Sequence, residues 1–113
     1  MHEVALAEGM LRIVADAAAR NAAACVHTVW VELGALAHVE PQALRFCFDA
    51  VARGTVAEGA ALEIATTPGV AWCMPCAAQV ALARLGDACP SCGSHQLQVI
   101  AGEEMRVKEI GIA

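Results

Sequence analysis

Residues 4–21 carry a helical period, with Leu6, Met10, Ile13 and Ala17 recurring at spacings of four, three and four on one apolar face. Glu8, Arg12, Asp16 and Arg20 recur every four residues on another face with alternating sign, which predicts a solvated, charge-paired surface. Asn21 is the expected stop. Val26 to Leu33 is β-branched and apolar on both faces, with Trp30 near its middle, and predicts a central or covered strand ending at Gly34. Pro41 suits the first position of a second helix, whose apolar stripe is Leu44, Cys47, Phe48 and Val51 and whose wet stripe is Arg45, Asp49 and Arg53. Gly54 stops it. Residues 60–66 predict a second strand closed by Pro68 and Gly69, Leu97–Ala101 a short strand, and Glu104–Ile110 a third main strand. The predicted fold is therefore α/β (α+β): a small mixed three-stranded sheet packed with two helices, plus an inserted four-cysteine module.

Composition sharpens this picture. The chain has 113 residues, 58% hydrophobic but only 4% aromatic, so its core must be built mainly from Ala, Val, Leu and Ile. A mean hydropathy of +0.55 invites a membrane reading. The longest uncharged run, Ile64 to Ala83, contains Thr66, Thr67, Pro68, Gly69 and Pro75, and these breakers exclude a continuous spanning helix. Met1-His2-Glu3-Val4 shows no basic stretch followed by an apolar one, so no secretory signal is expected and a cytoplasmic location is. The formal charge of −5 opposes nucleic-acid binding, which wants a basic face.

Six cysteines in a reducing compartment point to metal or redox chemistry before disulfides. Four of them form Cys73-Met-Pro-Cys76, twelve residues, then Cys89-Pro-Ser-Cys92-Gly93. Two intervening residues let both sulfurs of one tight turn face a single ion, and a second pair completes the tetrahedron that Zn²⁺ accepts. Gly93 tolerates positive φ, so backbone N–H groups are expected to turn toward the thiolates; Ala77 is the weaker equivalent in the first turn. The spacing leaves room for one hairpin or helical turn. Four thiolates leave no open position for water, so the predicted zinc is structural. A thioredoxin-like dithiol would need one such pair rather than two. Four thiolates and one zinc ion take the formal charge from −5 to −7, and Arg84 is the one basic residue between Val70 and Ser94. Cys25 and Cys47 are expected as small buried hydrophobes.

The amino terminus offers a second donor set. A free α-amine at Met1, the amide nitrogen of His2 and its imidazole can chelate one ion through fused rings, and such nitrogen donors suit Ni²⁺ or Cu²⁺ in tetragonal geometry. The His2 amide lies where a helix leaves its first N–H groups unpaired, so metal could displace its proton without breaking a helix bond. Glu3 could add an oxygen ligand. By itself a histidine at position 2 says little; most are simply solvated.

Taken in order, Met1-His2-Glu3, Glu32-Leu-Gly34, Val39-Glu-Pro41, the two cysteine pairs with Gly93, and Gly102-x-Glu-Met105 resemble the HypA/HybF family of nickel metallochaperones over essentially the whole length. The resemblance implies a nickel-binding α/β domain of residues 1–67 and 102–113, with Met1, His2 and Glu3 as nickel ligands and Glu40 at a position close to them. It implies a zinc-binding domain of residues 68–101 around Cys73, Cys76, Cys89 and Cys92. His95 stands near where relatives often have a histidine that could tune or sense the zinc site, but a surface histidine is the favoured reading. Transferable Ni²⁺ and structural Zn²⁺ are the implied metals. The GTPase HypB, the hydrogenase large subunit precursor and, for some members, urease maturation proteins are the implied partners. No phosphate-binding loop is present, so GTP hydrolysis falls to a partner, and no enzymatic turnover is expected. Whether two chains associate as a homodimer stays open. So do two other functions: a zinc-stabilised adaptor that carries no nickel, and a thiol oxidoreductase.

Overall fold

The computed structural model describes residues 2–113, without the side chain of His2. Element order is α1 (His2–Arg20), β1 (Val26–Gly34), α2 (Pro41–Ala52), β2 (Ala61–Thr67), β3 (Val70–Cys73), β4 (Ala78–Ala81), β5 (Leu97–Ala101) and β6 (Met105–Ile112). Contacts divide the chain into two compact units: residues 1–31, 39–65 and 106–113 in the first, 32–38 and 66–105 in the second. Among the described residues no helix is long and apolar enough to cross a membrane.

In the first unit α1 packs on α2. The helix begins two residues before the periodic stretch, and its buried stripe is Ala7, Met10, Val14 and Ala18. This corrects the stripe read from the sequence: Leu6 and Ala17 are half-buried, and Ile13 is 53% exposed. The two stripes share Met10 and lie side by side on the helix, so spacing alone cannot choose between them. Packing chooses the one with Ala7 and Ala18, whose small side chains admit close approach of a neighbouring element. Asn21 ends the helix, its Nδ2 donating to the Ala17 carbonyl at 2.7 Å.

Pro41 occupies the first turn of α2, where its missing N–H costs nothing. Glu40 is the N-cap in extended geometry (φ −83°, ψ 119°), and its Oε2 accepts from the Ala43 N–H at 2.7 Å. Leu44, Phe48 and Ala52 are buried, whereas Cys47 and Val51 are half-buried on the flank. Cys25 is exposed just before β1, and its carbonyl accepts from the Ala113 N–H. Neither cysteine is thus a fully buried core residue; Cys25 lies outside any periodic element that would carry it inward.

The first sheet has the order β2-β1-β6. Its directions follow from the bonds at the two ends of β1. Val26 N–H meets Val56 just before β2 and Ala35 N–H meets Thr67 at its end, so residue numbers rise together and the pair is parallel. Ala113 N–H meets Cys25, and Gly34 N–H meets Glu104, so β6 runs antiparallel. The sheet is mixed, with the apolar β1 in its centre. Val29 and Val31 of this strand are buried, as are Met10, Val14 and Phe48 of the helices.

The second unit holds a sheet the sequence pattern did not show, antiparallel with order β4-β3-β5. Its core is Leu36, Ala71 and Leu82, with Val80, Leu97 and Val99 packed against them. Four-residue strands such as β3 and β4 carry too few alternations to stand out from the cysteine turn between them. Gly34 and Gly102 meet here. A Cβ on Gly34 would run into the Gly102 carbonyl and lie 2.9 Å from Glu103 N, while Leu36 N–H donates to that same carbonyl at 2.8 Å.

Candidate metal centre

The β3–β4 hairpin brings the first cysteine pair together. Register pairs Cys73 with Ala78, so Met74 to Ala77 form the connecting turn, with the Ala77 N–H donating to the Met74 carbonyl and Ala77 at φ 50°. Cys73 is buried at the end of β3, and Cys76 is half-buried in the turn. The second pair sits on a loop closed by its own backbone: Cys89 N–H donates to Ser94 O at 2.8 Å and Gly93 N–H to Cys89 O at 2.9 Å, with Gly93 at φ 77°. Gly93 takes the expected positive φ, and backbone N–H groups do turn toward a thiolate: those of Ser91, at 3.4 Å, and Cys92 reach the sulfur of Cys89, while the N–H of Gly93 itself bonds a carbonyl. The tight turn dictates this, because the amides two and three residues after the first cysteine are the ones that curl back over it.

All four sulfurs lie within 4.8 Å of one another. Cys73 and Cys92 are 3.6 Å apart, Cys76 and Cys89 4.0 Å. A regular tetrahedron with Zn–S bonds of ~2.3 Å has edges of about 3.8 Å, which these separations bracket. The donor set therefore fits zinc, with any longer separation having about 1 Å or less to close. Cys73, Cys76, Cys89 and Cys92 would hold the ion, which supplies cross-linking of two segments and leaves no position for a substrate.

The thiols are unequal before a cation acts on them. The Cys92 N–H, and then that of Ser91, stabilise the Cys89 thiolate and lower its pKa to about 6. Cys76 is pushed up to about 12, first by the sulfur of Cys92 and then by that of Cys73. At Cys73 the Cys76 N–H favours the thiolate, yet burial and the sulfurs of Cys92 and Cys89 outweigh it, and the pKa is raised. Four anionic sulfurs this close coexist only around a cation.

The remaining predicted residues are placed separately. Met1 and the His2 side chain lie outside the described residues. Glu3 is half-buried in the first turn of α1, at the positive end of the helix. Glu40 caps α2, a role that its sequence position before Pro41 could have signalled. Exposed His95 accepts through its carbonyl from Leu97 N–H and is not part of the four-sulfur group. Among the described residues that group is the one set of three or more His, Cys, Asp or Glu side chains able to share an ion.

An α/β unit and a β-module whose four sulfurs would close a tetrathiolate site define a small metalloprotein with a donor set suited to structural zinc. The family can be stated as well. A family model described as "Hydrogenase/urease nickel incorporation, metallochaperone, hypA" matches residues 1–112, and the chain belongs to that family. It is 56% identical over 112 residues to the hydrogenase maturation factor HypA of Albidiferax ferrireducens, and equally so to that of a Bradyrhizobium species, each alignment covering 99% of both chains. The solution structure of the Ni metallochaperone HypA from Helicobacter pylori shares the fold with a TM-score of 0.69 at 20% identity, over 97% of this chain and 96% of that one. A second HypA solution structure matches at 0.71 and 21%, over 100% and 97%.

Proposed function

We propose that this chain carries Ni²⁺ on its amino terminus for insertion into [NiFe]-hydrogenase, while the four-cysteine centre keeps Zn²⁺ as a structural ion. The observation that carries the reading is the family match beginning at residue 1, together with a helix that starts at His2. That helix start leaves the His2 amide without an intrahelical acceptor to lose, so a metal could displace its proton, and the α-amine of Met1 and the imidazole of His2 are the ligands that would join it. Glu3 offers an oxygen and offsets the repulsion between the helix dipole and a cation. Ligands confined to one chain end bind and release without unfolding anything, which suits transfer. No bond of a substrate is broken in this cycle, so the chain acts without enzymatic turnover. The GTPase HypB and the hydrogenase large subunit precursor are the partners this role requires, in the cytoplasm, with urease maturation proteins as further recipients.

Calorimetric titration of Ni²⁺ into zinc-loaded, untagged protein tests the reading. One nickel per chain is expected, lost in His2→Ala and in a chain whose amine is blocked by a tag. Undiminished binding by both altered proteins would refute the terminal site. A zinc-loaded chain that binds no nickel yet supports hydrogenase maturation would instead be an adaptor.

A further inference from the structure

Within the four-cysteine group the sulfurs differ in access. Cys73 and Cys89 are 0% and 3% exposed, Cys76 is half-buried, and Cys92 is exposed. The local backbone explains this order. Cys73 ends β3 two residues after buried Ala71, so strand alternation carries both side chains inward. Cys89 sits inside its loop, with the Ser91 N–H on its sulfur at 3.4 Å. Cys92 lies on the outer turn of that loop, where Pro90 to Gly93 are all exposed. The sulfurs also meet across the two segments. Cys92 Sγ touches Cys73 Sγ at 3.6 Å, and Cys76 Sγ stands 4.0 Å from Cys89 Sγ. A disulfide of ~2.05 Å therefore needs a closure of about 2 Å or less in either pair, within reach of side-chain rotation.

We propose that Cys92 is a modification site for hydrogen peroxide, with Cys73 as its resolving partner, and that oxidation turns the metal-binding cage into the disulfides Cys73–Cys92 and Cys76–Cys89. The inference rests on the four-cysteine group and not on the nickel reading. A metal-bound cysteine is a thiolate, and the exposed one meets a dissolved oxidant first. The Cys92 sulfur attacks one peroxide oxygen. An S–O bond forms, the O–O bond breaks, hydroxide leaves, and the sulfur, two electrons poorer, becomes a sulfenic acid. The touching Cys73 thiolate then attacks that sulfur, the S–S bond forms, and the oxygen leaves as a second hydroxide. Two protons from solvent turn both hydroxides into water. Cys89 is the poorer resolver, because its sulfur takes the Ser91 N–H, and hydrogen bonding that stabilises a thiolate lowers its nucleophilicity. A second peroxide joins Cys76 to Cys89 by the same steps. The donor set falls from four sulfurs to two and then to none, so the ion is released. Removing the ion without an oxidant leaves hairpin and loop unlinked, whereas each of these disulfides ties one segment to the other.

Hydrogen peroxide added stepwise to the zinc-loaded chain, with a zinc-sensitive dye present, tests this. Two peroxides should release the one zinc, and the chain should lose four hydrogens in mass. Peptide mapping after alkylation of free thiols should find Cys73 joined to Cys92 and Cys76 joined to Cys89. Stopped at one peroxide, the Cys73–Cys92 bridge should predominate. Amide exchange across β3, β4 and β5 should stay slow in the oxidised, zinc-free chain and rise in the reduced chain stripped by a chelator. A dithiol reductant should restore four thiols and the bound zinc. Cys25→Ser combined with Cys47→Ser removes the cysteines outside the group, one of them exposed, and should leave zinc release unchanged. Bridges within the pairs, Cys73–Cys76 and Cys89–Cys92, would overturn the proposal. So would a Cys92 carried on to the sulfinic acid without a bridge, release that needs Cys25, or a chain that keeps its zinc.

Discussion

Zinc binding to the four sulfurs should release at least two protons at neutral pH, and the pH dependence should steepen below about 6. The perturbation is pH itself, applied to zinc-stripped protein as it is reloaded. Cys73 and Cys76 are both raised, Cys76 to about 12, so each keeps its proton through pH 7 and zinc must displace it. Every displaced proton makes the apparent association constant rise about tenfold per pH unit, so two give about a hundredfold. Cys89 works in the opposite sense. Its pKa is lowered to about 6, so above that value it presents a thiolate at no protonic cost, and as pH falls through 6 a further proton begins to compete. The slope of log affinity against pH should therefore be at least two near pH 7 and gain about one more below pH 6. Calorimetry in buffers of different ionisation enthalpy counts the released protons directly, and competition with a chromophoric chelator gives the slope. Release of fewer than two protons at pH 7 would refute the account of how the sulfurs crowd one another. A slope that does not change through pH 6 would refute the role of the Cys92 and Ser91 amides.

Removing zinc with a strong chelator should raise amide exchange across β3, β4 and β5 while the far-ultraviolet signal of α1 and α2 persists, because the helices pack on each other in the other compact unit; simultaneous loss of both would count against separate units. Glu40→Ala removes the acceptor for Ala43 N–H and should cost about 1 kcal/mol in urea unfolding, whereas Glu40→Gln keeps an acceptor oxygen and should cost much less. If Glu40→Gln is as destabilising as Glu40→Ala, the cap is not what holds this end of α2. Gly34→Ala forces a methyl group against the Gly102 carbonyl and should cost about 1–3 kcal/mol by denaturant titration. A stability unchanged from the parent would show that the crossing of 34–36 and 102–104 yields easily.

What could be read from the sequence follows the strength of each physical signal. Both helices, β1 and the gathering of four cysteine sulfurs were legible, since Pro41, Gly54, the long apolar run of β1 and the paired cysteine turns each impose a local geometry on their own. The buried stripe of α1 was not, because Leu6-Met10-Ile13-Ala17 and Ala7-Met10-Val14-Ala18 are both apolar series at helical spacing, and the choice lies in what α1 meets. The second sheet was missed for a related reason. Its core draws Leu36 from one stretch and Ala71, Leu82 and Val99 from others, so no single segment shows the pattern. Glu40 is a further case: carboxylate and position were visible in the sequence, but the bond to Ala43 that occupies it is a fact of three dimensions.

The two metals proposed for this chain differ in what their release would cost. The four sulfurs come from two segments twelve residues apart, one on a hairpin and one on a self-closed loop, and the zinc bridges them. Losing that ion separates the segments, so metal release and unfolding of the module are the same event and the ion is retained. At the amino terminus the proposed ligands are consecutive residues. The N–H groups at that helix end have no intrahelical partners whether or not a cation is present, so releasing nickel breaks no bond that holds the fold. A carrier needs that second arrangement for its cargo and the first for its scaffold. Exchange of the roles, with nickel in the sulfur cage, would couple every delivery to unfolding of β3–β4–β5.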